Sequence, residues 1–240
     1  MEITTIILIG AIVFLLLLMA LGLSIANFAG ERVWDIYDEY SKIRTKAGMT
    51  GLDFGMAVNH AHFKDKLRVS IVEPMLSDHY TYVGVKGVSI CKANAASDSV
   101  SAIAIVAHEF GHAMQDNKKE GRFRAFLFCN KLGKAIGFLM FPALIAGIVL
   151  MFFEAYTLYG YIALGGSAGL FLFSLFIKLY TVKIETEATS IGLTFLEPAL
   201  TADEMKMAKR LLNAAKLSYW AEFFAILLSW TFLTKKTKYF

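Results

Sequence analysis

The chain has 240 residues, of which 57% are hydrophobic and only 18% charged, and its mean hydropathy is +0.55. Soluble domains carry nearer a quarter charged residues, so an apolar excess gathered into long runs excludes an ordinary soluble protein and points to bilayer spans. A formal net charge of +4, with no arginine-rich tail and no basic stripe between aromatics, argues against nucleic-acid binding.

Residues 6–29 are apolar almost throughout. About 20 such residues cross a bilayer core. With no positive leading segment and no small-x-small cleavage site, residues 1–29 read as a retained signal anchor. Residues 30–134 are more polar and read as a catalytic region. Within 31–46, Trp34, Ile36, Tyr37, Tyr40 and Ile43 share one helical face. Gly48 should stop that helix, and Thr50 with Asp53 should start another in a capping arrangement. Residues 67–73 alternate like a strand, and 80–85 with 88–92 read as a hairpin turning at Lys86-Gly87. Ser97 or Asp98 then caps a helix running to about Asn117.

Two further spans are expected at 135–153 and 158–180, making residues 135–181 a membrane hairpin around a short loop that holds Glu154. The second span should continue as a helix to residue 196, where Pro198 ends it. Residues 201–216 read as a charged amphipathic helix, completing a segment 182–216. Residues 217–233 are apolar but short for a span and contain Glu222, which is costly in a membrane unless paired or solvated. They form, with the tail, a C-terminal segment 217–240. Cys91 and Cys129 have no paired spacing and read as two buried thiols in a reducing compartment.

Basic residues fix the expected orientation. Arg32, Lys42, Arg44 and Lys46 follow the first span, Lys131 and Lys134 precede the second, and Lys178 and Lys183 close the third, whereas the Glu154 loop has none. The positive-inside rule therefore places 30–134 and 178–216 in the cytoplasm. Lys235, Lys236 and Lys238 fit that arrangement only if the last segment dips into the membrane without crossing, or if these charges are tolerated outside.

The chemistry is carried by His108-Glu109-Phe110-Gly111-His112, an H-E-x-x-H motif. Residues four apart share a helix face, so both imidazoles can reach one Zn²⁺, with Glu109 beside them as general base. Zinc would bring the pKa of its water to about 7 and polarise a scissile carbonyl, and Glu109 would pass the water's proton to the leaving amine. A catalytic zinc needs a third protein ligand. A third histidine six residues beyond His112 is excluded, because Lys118 stands there, and Gln115 replaces the glycine such a motif requires. A glutamate from a later helix is the other common solution, and Glu185 fits it, with Thr189 one turn on as a hydrogen-bonding neighbour to a ligand. Glu187 points to roughly the opposite side of that helix. A membrane hairpin between His112 and Glu185 would return the chain to the same membrane face, so the ligands would meet near the cytoplasmic surface.

Several segments together carry a family resemblance: Tyr37-x-x-Tyr40-Ser41-Lys42, Gly48-Met49-Thr50-Gly51, Leu76-Ser77-Asp78-His79-Tyr80, Gly87-Val88-Ser89, residues 99–115 (SVSAIAIVAHEFGHAMQ), the Glu185 segment and Leu217-Ser218-Tyr219-Trp220-Ala221. In these the chain resembles the YugP-type membrane zinc metallopeptidases, related to other zinc proteases with a glutamate third ligand (gluzincins). The resemblance implies zinc held by His108, His112 and Glu185, with Glu109 as catalytic base. The chain departs from the family pattern at Thr81-Tyr82, where Asp-Pro is usual, and at Glu187-Ala188-Thr189, where Asp-Ala-Ser is usual.

Other residues keep two readings. His79 either contacts substrate or pins its loop, and His60 and His62, two apart, face different ways on a helix and read as packing or surface residues. The strand 88–92 either packs or offers an edge to an extended substrate. Lys118, Lys119, Arg122 and Arg124 either meet anionic headgroups or are simply solvated.

The expectation is a mainly α, multi-pass cell-membrane protein with a zincin-like H-E-x-x-H helix and a small β-hairpin near a cytoplasmic zinc site. It would bind one Zn²⁺ per chain and hydrolyse peptide or protein substrates at the bilayer, with no nucleic acid. A zinc-binding regulatory membrane protein without turnover is the alternative. The sequence does not give the oligomeric state.

Overall fold

The computed structural model describes residues 3–73, 78–81 and 84–229. Leu76, Ser77, Tyr82, Val83 and the end of the last apolar segment with Lys235, Lys236 and Lys238 lie outside them, as do the side chains of Lys119, Arg122 and Lys134. The protein is mainly α, as expected. In chain order come α1 (Ile3–Ser41), α2 (Gly51–Val58) with a wider turn of helix after it (Asn59–Phe63), strands β1 (Arg68–Val72), β2 (His79–Thr81) and β3 (Gly87–Cys91), then α3 (Lys92–Ala96), α4 (Val100–Gly137), α5 (Met140–Leu150), α6 (Thr157–Leu196) and α7 (Ala202–Ser229). Among the described residues, three helices are long and apolar enough to cross a membrane, α1, α6 and α7, and they mark a membrane protein.

Local chemistry explains most boundaries. Thr50 caps α2 through a reciprocal capping box with Asp53. Thr201 and Glu204 form a second such box at the start of α7. Pro198 lies just beyond the end of α6. Several helices are longer than the sequence suggests. The apolar stretch and the amphipathic stretch at the N-terminus are one continuous helix of 39 residues, and residues 201–216 and 217–229 are likewise continuous in α7. No proline interrupts either junction, and backbone hydrogen bonding does not respond to a change in hydropathy. The cap of α4 is Ser99, whose hydroxyl accepts from the Ala102 N–H, rather than Ser97 or Asp98. That helix does not stop near Asn117 but runs 38 residues to Gly137.

The expected span 135–153 is broken. Its first residues are the end of α4, a turn at 138–139 interrupts it, and the helix that follows, α5, has 11 residues, a length of about 16 Å, half of what a bilayer core needs. Pro142 explains the break: it cannot donate to the carbonyl four residues back, and its ring clashes with that carbonyl. The proline is tolerated only because it lies in the first turn of α5.

The chain divides into two compact units. One comprises α1 up to Phe28, Phe126–Thr181 and α7 from Tyr219; its buried cluster is Met140, Phe171 and Ile226. Here the Ser167 hydroxyl donates to the Met140 carbonyl at 2.7 Å. Here too Lys178 on α6 donates to Glu222 on α7, an ion pair in which Lys178 is buried. Lys178 therefore drops out of the tally of headgroup-facing cations, and Glu222 has the partner its position requires.

The other unit comprises Ala29–Ala125 and Val182–Ser218. Its centre is the first two turns of α4, where every residue from Val100 to Ala107 is buried. Val33, Ile36, Tyr37 and Tyr40 on the end of α1 are buried in the same unit. The sheet has the order β1-β3-β2, with β1 parallel and β2 antiparallel to β3. The hairpin is shorter than expected: Thr81 pairs with Gly87, so the turn does not fall at Lys86-Gly87. Gly84, with φ +73°, lies in the connection, while Gly87 opens β3, where a Cβ would stand 2.3 Å from the Arg68 carbonyl oxygen. Nor is β3 an edge. It is paired on both sides and buried at all five positions, so the edges are β1 and β2.

Candidate metal centre

The H-E-x-x-H residues fall on the third and fourth turns of α4. Burial of the preceding residues pins that helix in place, and α6 crosses it. The crossing depends on missing side chains. A Cβ at Gly111 would stand 2.2 Å from the Ala188 carbonyl oxygen, and one at Gly192 would stand 2.8 Å from that of Ala107. The two backbones thus approach within reach of short ligand side chains.

At this crossing the structure brings His108, His112 and Glu185 together. Glu185 Oε2 is 3.2 Å from His108 Nε2 and 3.4 Å from His112 Nε2. The three ligand atoms lie within 4.8 Å of one another. A tetrahedral zinc with ligand bonds of about 2.0–2.1 Å has edges of about 3.3–3.4 Å. The two imidazole–carboxylate separations lie close to that edge, and two neutral imidazoles with one carboxylate are a donor set suited to zinc. The residues present fit the ion.

The far nitrogens of both rings are engaged. His108 Nδ1 is 3.3 Å from the Thr189 hydroxyl, and His112 Nδ1 is 3.0 Å from Gln115 Oε1. Both rings can therefore present Nε2 to a metal. Thr189 was expected near a ligand; Gln115 was not, although three residues beyond His112 places it on the same helix face. Glu187 stands aside from the cluster and accepts from the Gln115 amide at 3.4 Å.

Electrostatics follow from burial. Glu109, on the same helix, is 5% exposed. Burial pushes its carboxyl up to about 8, with the Asp78 and Glu185 carboxylates adding to the rise and His112 and the Tyr80 N–H opposing it. Burial also drives the His108 ring down. For His112 burial acts downward too, but the Glu185 and Glu109 carboxylates outweigh it and hold the ring up at about 9. Metal-free, the cluster is thus an ion pair, His112 positive and Glu185 negative. A divalent cation would replace that proton and favour the ionised form of Glu109.

Two buried carboxylates brace the walls. Asp116 accepts from the Tyr80 hydroxyl at 2.6 Å and pairs with Lys86 at 2.9 Å, fastening the hairpin to α4. Asp78 accepts from the Cys91 N–H and the Asn94 amide, and Asn94 in turn accepts from Tyr37 of α1. Burial raises the Asp78 carboxyl.

The remaining histidines are elsewhere engaged. His60 pairs with Asp65 at 2.8 Å on the surface, and the His62 ring packs against Phe195. His79 is exposed on β2. Among the described residues, they join no metal-ligating cluster.

A family model described as "putative neutral zinc metallopeptidase" matches residues 13–235. Over 208 residues the chain is 28% identical to the "putative membrane protease YugP" of Bacillus subtilis (strain 168), an alignment covering 85% of this chain and 87% of that relative. No solved structure matches. The family match takes in most of α1, the motif helix, the Glu185 helix and all of α7, so the chain belongs to the family described as "putative neutral zinc metallopeptidase".

Proposed function

We propose that this chain is a membrane-embedded zinc-dependent endopeptidase that holds one Zn²⁺ through His108, His112 and Glu185 and uses Glu109 as general base. The observation that carries the reading is the set of Nε2–Oε2 separations of 3.2 and 3.4 Å, which fit the edges of a zinc tetrahedron, with Glu109 next to a ligand on the same helix. Bound there, zinc supplies Lewis-acid polarisation of the scissile carbonyl and a water acidic enough to attack at neutral pH. Glu109 takes the proton from that water and delivers it to the leaving amine, so the peptide and one water become an acid and an amine. The low-dielectric surroundings that raise the Glu109 carboxyl also suit it to both halves of this transfer.

The substrate class is peptide or protein at the bilayer. The chain passes the membrane more than once, and its catalytic unit faces the cytoplasm. Arg32, Lys42, Arg44 and Lys46 beyond the apolar part of α1 support that side, since Lys178 is neutralised by Glu222.

The test is Glu109→Gln in the full chain. The variant should keep its zinc, measured by metal analysis, and hydrolyse a casein-like substrate more slowly by about 10²–10⁴-fold. Cleavage at the parent rate would overturn the mechanism.

A further inference from the structure

The amide of Gln115 can be oriented from its partners alone. One amide atom lies 2.8 Å from the Ile184 carbonyl oxygen, a group that only accepts, so the NH₂ must face α6. The other amide atom, Oε1, then faces His112 Nδ1 at 3.0 Å. An amide oxygen also only accepts, so Nδ1 must carry the proton. A neutral ring protonated on Nδ1 has its lone pair on Nε2, the atom 3.4 Å from Glu185 Oε2. Thr189 cannot dictate the His108 tautomer in this way, because a hydroxyl can donate or accept.

The same side chain bridges the two helices that carry the ligands. It leaves α4 one turn after His112 and ties down the α6 backbone at the residue directly before Glu185; its NH₂ also reaches Glu187 Oε2 at 3.4 Å. Gln115 is buried, so water does not compete for these bonds. No other residue type supplies this set: a carboxylate lacks the donors, and a hydroxyl is too short to cross.

We propose that Gln115 is a positioning residue. It keeps a proton on His112 Nδ1, so that the proton given up to a metal is the one on Nε2, and it fixes the ring's direction in register with Glu185 before the metal arrives. This inference rests on the metal-centre reading given above, and its test separates the two.

The full chain in detergent, stripped with chelator, is titrated with Zn²⁺ against a chromogenic competitor and, separately, with Co²⁺ for its visible absorption. Gln115→Met keeps the volume and removes every polar contact. It should lower zinc affinity by about 10–100-fold and shift the cobalt bands. Gln115→Glu keeps an acceptor for the ring N–H and should hold zinc within about fivefold of the parent. A residue needed only for packing would leave the Met variant with parental affinity and spectrum, and that result overturns the inference while leaving the metal centre intact. If the Met variant fails to fold, the Glu variant decides: loss of zinc as complete as in His112→Ala refutes the acceptor role. A parent chain that binds no zinc overturns the metal centre and this inference together.

Discussion

Gly111 lies against the carbonyl of Ala188, so closely that a Cβ there would stand 2.2 Å from the oxygen. The middle of the H-E-x-x-H motif is thus a contact between helices as well as a spacer between ligands. Alanine is the better helix former by about 1 kcal/mol, yet Gly111→Ala should destabilise the protein by about 1–3 kcal/mol through overpacking and weaken zinc binding as α6 is pushed away. Gly121→Ala on the same helix meets nothing within 4 Å and should stabilise instead. Thermal unfolding of the two variants side by side gives the comparison; equal signs would contradict the close-packed crossing.

The third ligand can be distinguished from its neighbour. Glu185 Oε2 is within 3.4 Å of both ring nitrogens, whereas Glu187 accepts from Gln115. Glu185→Ala should therefore lower zinc occupancy far more than Glu187→Ala. Metal analysis after equilibration with a weak chelator reads the difference, and the reverse order would reassign the ligand.

Zinc uptake should be coupled to proton release. In the metal-free protein the His112 ring is held up at about 9, so it is charged at pH 7 and must lose its proton to bind. Affinity should rise at least about tenfold per pH unit from pH 7, more steeply below about 8 where Glu109 also loses a proton, and flatten above about 9, where no proton remains to be displaced. Calorimetry in buffers of different ionisation enthalpy should return between about one and two protons released at pH 7, one from His112 and the rest from Glu109, whose raised carboxyl the cation ionises. A release near zero would place His112 in its neutral form beforehand.

The Lys178–Glu222 pair gives a test in the membrane unit. Lys178→Met leaves a carboxylate without its partner and should cost about 3–5 kcal/mol, whereas the double change Lys178→Met with Glu222→Leu should recover most of the loss. Denaturation in detergent measures the cycle. Additive losses would mean the two charges do not interact.

The sequence made the chemistry more legible than the packing. H-E-x-x-H places two rings on one helix face by geometry alone, and Thr50-Asp53 and Pro198 are local signals that acted locally. Glu185 was reachable because a topological argument restricted the choice. Gln115 was not, since an amide three residues past a histidine has no distinctive pattern until a second helix supplies the carbonyl it binds. The central place of β3 was missed because neighbouring strands in sequence suggest a hairpin, while β1 instead pairs in parallel with β3. The available sign was weak, since Ser89 interrupts the apolar Val88, Ile90 and Cys91. Pro142 was equally available, and its effect on the span 135–153 needs no tertiary information.

The unbroken course of α1 has a practical consequence for where the chain can be cut. Hydropathy suggests trimming the entire first helix, but Val33, Ile36, Tyr37 and Tyr40 near its end are interior residues of the zinc-site unit, and the Tyr37 hydroxyl holds Asn94. A truncation after Ser41 would remove one wall of that unit along with the apolar stretch. One made near Ala29 would shed the greasy part and leave the wall standing.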